Sequence, residues 1–160
     1  PIGQALFPFL SKKYTSLSKK ESFLFIIRNG RYMFIGYLFI TITSFLFSKI
    51  IIHLITGELN SNILYDFRIM LVVVLVGGLN YYLGVLGLVA LKYNKDFSSA
   101  VLITGVLNVA LVTVLSYYFN DIGASFSLVI SESTLLALII LKVKAIQIKP
   151  ERVEKQTTSW

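Results

Sequence analysis

Three observations predict an all-helical integral membrane protein. Apolar residues make up 56% of the 160-residue chain, and its mean hydropathy is +0.77. Charged residues make up only 14%, where soluble domains carry about 25%. The apolar residues are gathered into runs of about twenty, the length a helix needs to cross a bilayer at about 1.5 Å per residue.

The first element, 1–10, reads as the end of a transmembrane helix, apolar until Ser11-Lys12-Lys13 and interrupted by Pro8. A proline there kinks a helix or ends its regular hydrogen bonding. The chain opens mid-pattern and without methionine, so it is expected to be the C-terminal portion of a longer protein. Residues 11–30 form a basic link. Within it, Ser18-x-x-Glu21 matches a capping box and opens an amphipathic helix expected to lie at the membrane interface.

Four complete transmembrane helices are then expected, at 31–55, 69–91, 97–119 and 121–143. In the first, Thr41, Ser44 and Ser48 share a face suited to helix contact, and Lys49 and His53 lie near the far end. Gly57 to Asn62 is a turn-rich loop. In the second span Gly77, Gly78, Gly84 and Gly87 thin two faces and permit close packing. Asn80 sits near its mid-depth, where a buried amide needs partners. In the third, Thr104 and Asn108 are one turn apart. Asn120-Asp121 marks a turn, and 144–160 forms a basic tail.

The charges orient these spans. All but two of the fifteen basic residues fall in the link, the loop after the second span, or the tail; Lys49 and Arg68 lie toward the other side. The positive-inside rule makes the rich side, and so the C-terminus, cytoplasmic. The net charge of +7 is therefore topological. A nucleic-acid partner would require a contiguous basic surface rather than this alternation.

The last span carries the residue of greatest chemical interest. Glu132 is a carboxylate near mid-depth, where a charge costs about 2.5–3.5 kcal/mol on insertion scales. Asp121, Ser125 and Glu132 fall on one helical face, which continues as apolar Leu136 and Ile139. The polar stripe is thus expected to open toward the outside only, as a water-filled transport cavity would. Asn80, Asn108 and Glu132 are the candidate path-lining or coupling residues, with Ser125 and Asp121 beside them. The competing reading is that they bond to one another and hold the helices together. Arg28 and Arg31, at the mouth of the first span, are candidate diphosphate contacts because a guanidinium fork binds two oxygens; the competing and simpler reading is ordinary topology and lipid head-group contact. No cysteine is present, and no catalytic nucleophile–base pair, phosphate-cradling loop or metal-ligand cluster is recognisable. Neither enzyme activity, cofactor nor metal is expected.

The segments LFPFLS (Leu6 to Ser11), followed by the basic link, and DIGASFSLVISES (Asp121 to Ser133) resemble parts of a known group. These are the Wzx-type O-antigen and polysaccharide repeat-unit flippases of the MOP (MATE-like) superfamily. The resemblance implies a two-lobed helical transporter in the bacterial inner membrane, of which this chain is most of the second lobe. It implies flipping of an undecaprenyl-diphosphate-linked oligosaccharide by alternating access. Implied partners are membrane lipids, the missing N-terminal half of the same protein, and the polysaccharide polymerase and glycosyltransferases of the pathway. Alternatives are a drug/cation antiporter of the same superfamily and a non-catalytic membrane subunit of polysaccharide assembly.

Overall fold

A computed structural model describes residues 2–148; the side chains at 2–6, 19, 20, 147 and 148 and the tail from 149 onward lie outside the described residues. All the regular structure described is helical: α1 (Ile2–Ser16), α2 (Lys19–Leu46), α3 (Ser48–Thr56), α4 (Ser61–Asn80), a π-helix (Tyr81–Val89) and α5 (Asn94–Ile148). Among the described residues, three helical stretches are long and apolar enough to cross a membrane: Glu21–Leu46, Ser61–Val89 and Asn94–Ile146. Much of their surface is apolar and bare, with Phe39, Leu46 and Tyr117 each more than 70% exposed. Such a surface suits lipid, since contiguous apolar patches of this kind are rare on soluble monomers.

The helix expected to end at residue 10 instead runs through Pro8 and the lysine pair to Ser16. One proline removes one hydrogen bond, and packing downstream offsets the loss. Leu10 and Tyr14, one turn apart, are both buried, and the Tyr14 hydroxyl donates to the Leu86 carbonyl at 3.2 Å. Thr15 and Ser16 then turn their hydroxyls back onto the carbonyls of Lys12 and Lys13 at the helix end.

The capping box is complete. Ser18 Oγ accepts from the Glu21 amide, and Glu21 Oε2 accepts from both the Ser18 amide and its hydroxyl. The helix it opens is not a separate piece before a span at 31. It continues for 28 residues to Leu46, about 42 Å. Asn29 and Gly30 do not break it: the Asn29 amide bonds back to Phe25, and Gly30 leaves room for the Tyr82 ring, 3.1 Å from where a Cβ would stand. The break falls later, at Phe47, after which α3 completes the expected 31–55 run and stops at Gly57 in the left-handed conformation.

α4 begins at Ser61, eight residues before the expected start, because Asn60 caps it by accepting from the Asn62 amide. It passes without interruption into the nine-residue π-helix. A π-helix of this length is rare and widens the turn. The wider turn is packed around by two tyrosines: Tyr82 donates to the Ile26 carbonyl at 3.0 Å, as Tyr14 does to that of Leu86. The glycines act as expected. A Cβ at Gly78 would strike the Tyr37 ring, one at Gly84 the Phe97 ring, and one at Gly87 would touch Ile26. Leu10, Tyr14, Phe23, Ile26, Leu86 and Ile139 centre the core here, at one end of the bundle.

α5 has 55 residues and would be about 80 Å long if straight. It folds back at Asn120, whose φ of 52° and ψ of −133° are not helical. The arms 94–119 and 121–148 run antiparallel, as Ser131 to Asn108 and Lys142 to Asp96 contacts show. Gly123 makes the bend possible, since a Cβ there would overlap the Leu115 carbonyl. The Asn120-Asp121 turn is therefore where the sequence places it.

Candidate functional site

Polar side chains hold α5 at three levels, two of them on its seam with α4. At the level nearest the Asn120 bend, Ser125 donates to Asp66 Oδ1 at 3.0 Å. Nearby on α4, Arg68 donates from Nε to Ser48 Oγ at 3.1 Å and lies 4.8 Å from the centre of the Phe45 ring. At the opposite end, Lys142 and Asp96 form an ion pair at 3.1 Å, with both side chains more than a third exposed. Exposed pairs of this sort contribute little.

The middle level is the candidate site. The Asn80 amide nitrogen donates to both the carbonyl oxygen of Glu132, at 2.9 Å, and its carboxylate Oε2, at 2.6 Å. One amide thus engages the backbone and the side chain of one residue and fixes the glutamate rotamer. Gly77, one turn before Asn80, faces the carboxylate: a Cβ there would stand 3.6 Å from Oε2, in ordinary van der Waals contact. Asn80 itself is only 4% exposed, while Glu132 is half-buried. Ser131 points about 100° away and donates to Asn108 Oδ1 at 3.0 Å. The 121–148 arm is therefore pinned on one side to α4 and on another to its own antiparallel arm.

One atom is left over. Asn80 Oδ1 is buried and accepts no hydrogen bond among the described residues. A buried acceptor without a donor costs about 1–3 kcal/mol. Beside it stands a carboxylate, which when ionised also only accepts. The site therefore offers hydrogen-bond acceptors to whatever reaches it and calls for donors: water, hydroxyl or ammonium.

Of the residues singled out from the sequence, the structure brings together Asn80 with Glu132, and Asn108 with the neighbouring Ser131. Ser125 is buried, covered by Asp66, so the stripe above Glu132 is closed at that level rather than open. Asp121 is exposed at the bend. Arg28 and Arg31 are exposed on α2, and Arg31 lies over the neighbouring Tyr32 ring. Neither bonds to the middle level among the described residues. Asp66, Arg68 and Ser131 are participants that sequence reasoning missed. The first two were lost because the span was begun at 69; the Asn60 cap is the signal that would have included them.

Comparison with protein-family models, curated proteins and solved structures finds no match for this chain.

Proposed function

We propose that this chain is the C-terminal portion of a two-lobed, MATE-like flippase that moves undecaprenyl-diphosphate-linked polysaccharide repeat units across the bacterial inner membrane. In this reading it supplies four complete spans and the end of a fifth. The spans are α2, α4 with its π-helix, and the two arms of α5, each arm longer than the roughly 20 residues a crossing needs. The segments LFPFLS and DIGASFSLVISES, which resemble this family, support the reading.

The observation that carries it is the Asn80–Glu132 pair. An ionisable group at mid-depth is expensive and is a functional candidate by default. Here it is met by a neutral amide rather than a cation, next to an unfilled acceptor. A glycan presents many hydroxyl donors, which such acceptors can satisfy as the sugar passes. The diphosphate is not a ligand for this level, because it too is an acceptor.

A second reading has a specific observation in its favour. Both Asn80 bonds stay within this chain, so the pair can simply lock α4 to α5 in a non-catalytic subunit. Export measurements separate the two. In a full-length protein expressed in a flippase-null strain, Glu132→Gln should leave insertion intact but lower repeat-unit export about tenfold or more, and Glu132→Leu should lower it further. Equal export by wild type, Gln and Leu variants at matched expression would overturn the transport role of Glu132 and leave the lock.

A further inference from the structure

Arg68 lies within the candidate span Ser61–Val89 and is half-buried, yet no carboxylate pairs with it. The one ion pair among the described residues is Lys142–Asp96. Asp66 is two positions away, about 200° round the helix, and is taken by the Ser125 hydroxyl of α5. Glu58 stands past the far end of α3, about 12 Å beyond Ser48. Arg68 rests on neutral groups instead. Its Nε donates to Ser48 Oγ at 3.1 Å, and its guanidinium carbon is 4.8 Å from the centre of the Phe45 ring. Ser48 is fully buried, so one edge of the planar guanidinium is fixed. The terminal Nη1 and Nη2 donate to nothing among the described residues. A charge within a span is expensive and calls for an anion.

Depth says which anion can reach it. α2 and α3 run outward from Arg31, whose charge marks the inner face of the bilayer. Ser48 is about 25 Å farther along, and the hydrocarbon is about 30 Å thick. Arg68, level with Ser48, therefore sits about 5 Å inside the outer boundary, within a long side chain's reach of lipid phosphate. The apolar surface beside it lies on the deep side. Phe45 and Ile42 precede Ser48 on outward-running α2, and Val72 follows Arg68 by one turn on inward-running α4. These three are 47%, 50% and 42% exposed. Acyl chains attached to a phosphate at Arg68 thus run inward along them, into the bilayer.

We propose that Arg68 is the phosphate-binding residue of an outer-leaflet phospholipid site, with the Nη1/Nη2 fork on the phosphate and the acyl chains against Phe45, Ile42 and Val72. The site does not rest on the flippase reading, since any protein inserted this way would hold it. The fork supplies preference over an uncharged lipid, and the apolar strip supplies preference over a free phosphate.

Tryptophan quenching by brominated lipid tests it at this one place. The full chain carries Val72→Trp, its single native tryptophan is removed by Trp160→Phe, and it is held in a phosphate-free maltoside detergent. Brominated phosphatidylglycerol should quench at about tenfold lower concentration than diacylglycerol with the same brominated chains, the order expected of a charge-assisted hydrogen bond. Arg68→Gln should bring the two midpoints together. Arg68→Lys should lose most of the difference, because an ammonium cannot hold Ser48 and a forked phosphate at once. Lys49→Gln, which removes the neighbouring exposed cation, should leave the difference unchanged. Equal midpoints for the two lipids with Arg68 in place would overturn the proposal without any variant at 68 having to fold. So would an equal loss in Lys49→Gln, which would mean general charge at this end of the molecule. Relief of the quenching by millimolar glycerol 3-phosphate would overturn the assignment to lipid and make Arg68 a site for a free anion.

Discussion

An ionised carboxylate accepts hydrogen bonds and offers none, and Asn80 presents both of its amide protons to a single glutamate. Hydrogen bonds to charged groups contribute about 1.5–3 kcal/mol. Asn80→Leu should therefore destabilise the protein by about 2 kcal/mol in reversible unfolding from mixed micelles. Adding Glu132→Leu should recover part of that, because the double variant has no half-buried carboxylate left to satisfy. The coupling should lie between about 0.5 and 3 kcal/mol. Strict additivity would show that the 2.6 Å contact contributes nothing to the folded state. Glu132 was legible in the sequence as an oddity, a lone carboxylate deep in an apolar run. Its partner was not, because pairing an amide with a carboxylate 52 positions later requires knowing which faces of α4 and α5 meet.

The helices themselves show what local chemistry can and cannot announce. The Ser18–Glu21 box is a complete local signal, needing only four residues, and the structure forms every bond it implies. Ser18→Ala should lower stability by about 1 kcal/mol. Helix ends set by tertiary contact were harder: α1 passes its lysine pair because Tyr14 is drawn to Leu86. The π-helix is invisible to a periodicity argument, since its widened turn is held by Tyr82, Tyr14 and the Phe97 ring set against Gly84. Glycines give the sharpest contrast at this scale. Gly123 lies against the Leu115 backbone and Gly84 against Phe97, whereas Gly36 and Gly105 have open space where a Cβ would go. Alanine at 36 or 105 should be neutral or stabilise by up to about 1 kcal/mol through helix propensity. Alanine at 123 should be strongly destabilising, because the atoms it meets are backbone and cannot swing aside. Thermal unfolding of the three single variants ranks them, and equal values would show that the Asn120 bend is not close-packed.

Across the whole molecule, the two ends differ in charge as well as in packing. Lys13, Arg28, Lys92, Lys95 and Lys142 gather toward the end that holds the buried core of Tyr14, Phe23 and Ile139. Lys49 and Arg68 belong to the other end, with the Asn60 cap and the Asn120 bend. The fold-back at Asn120 is what makes this segregation self-consistent. Were α5 a single straight rod, Lys95 and Lys142 would stand about 70 Å apart, on opposite sides of any bilayer. Folded, Lys142 reaches Asp96 at 3.1 Å. The positive-inside rule then orients the bundle as one body. Reporter fusions after Lys95 and after Lys155 should both report the cytoplasm, and a fusion at Asn60 the outside. A cysteine at Asn120 in this cysteine-free chain should react with a membrane-impermeant maleimide added to intact cells, while one at Lys95 should react only after lysis. Protection at both positions would place the bend within the membrane, and labelling at Lys95 but not Asn120 would invert the bundle. A cytoplasmic report from Asn60 would do the same.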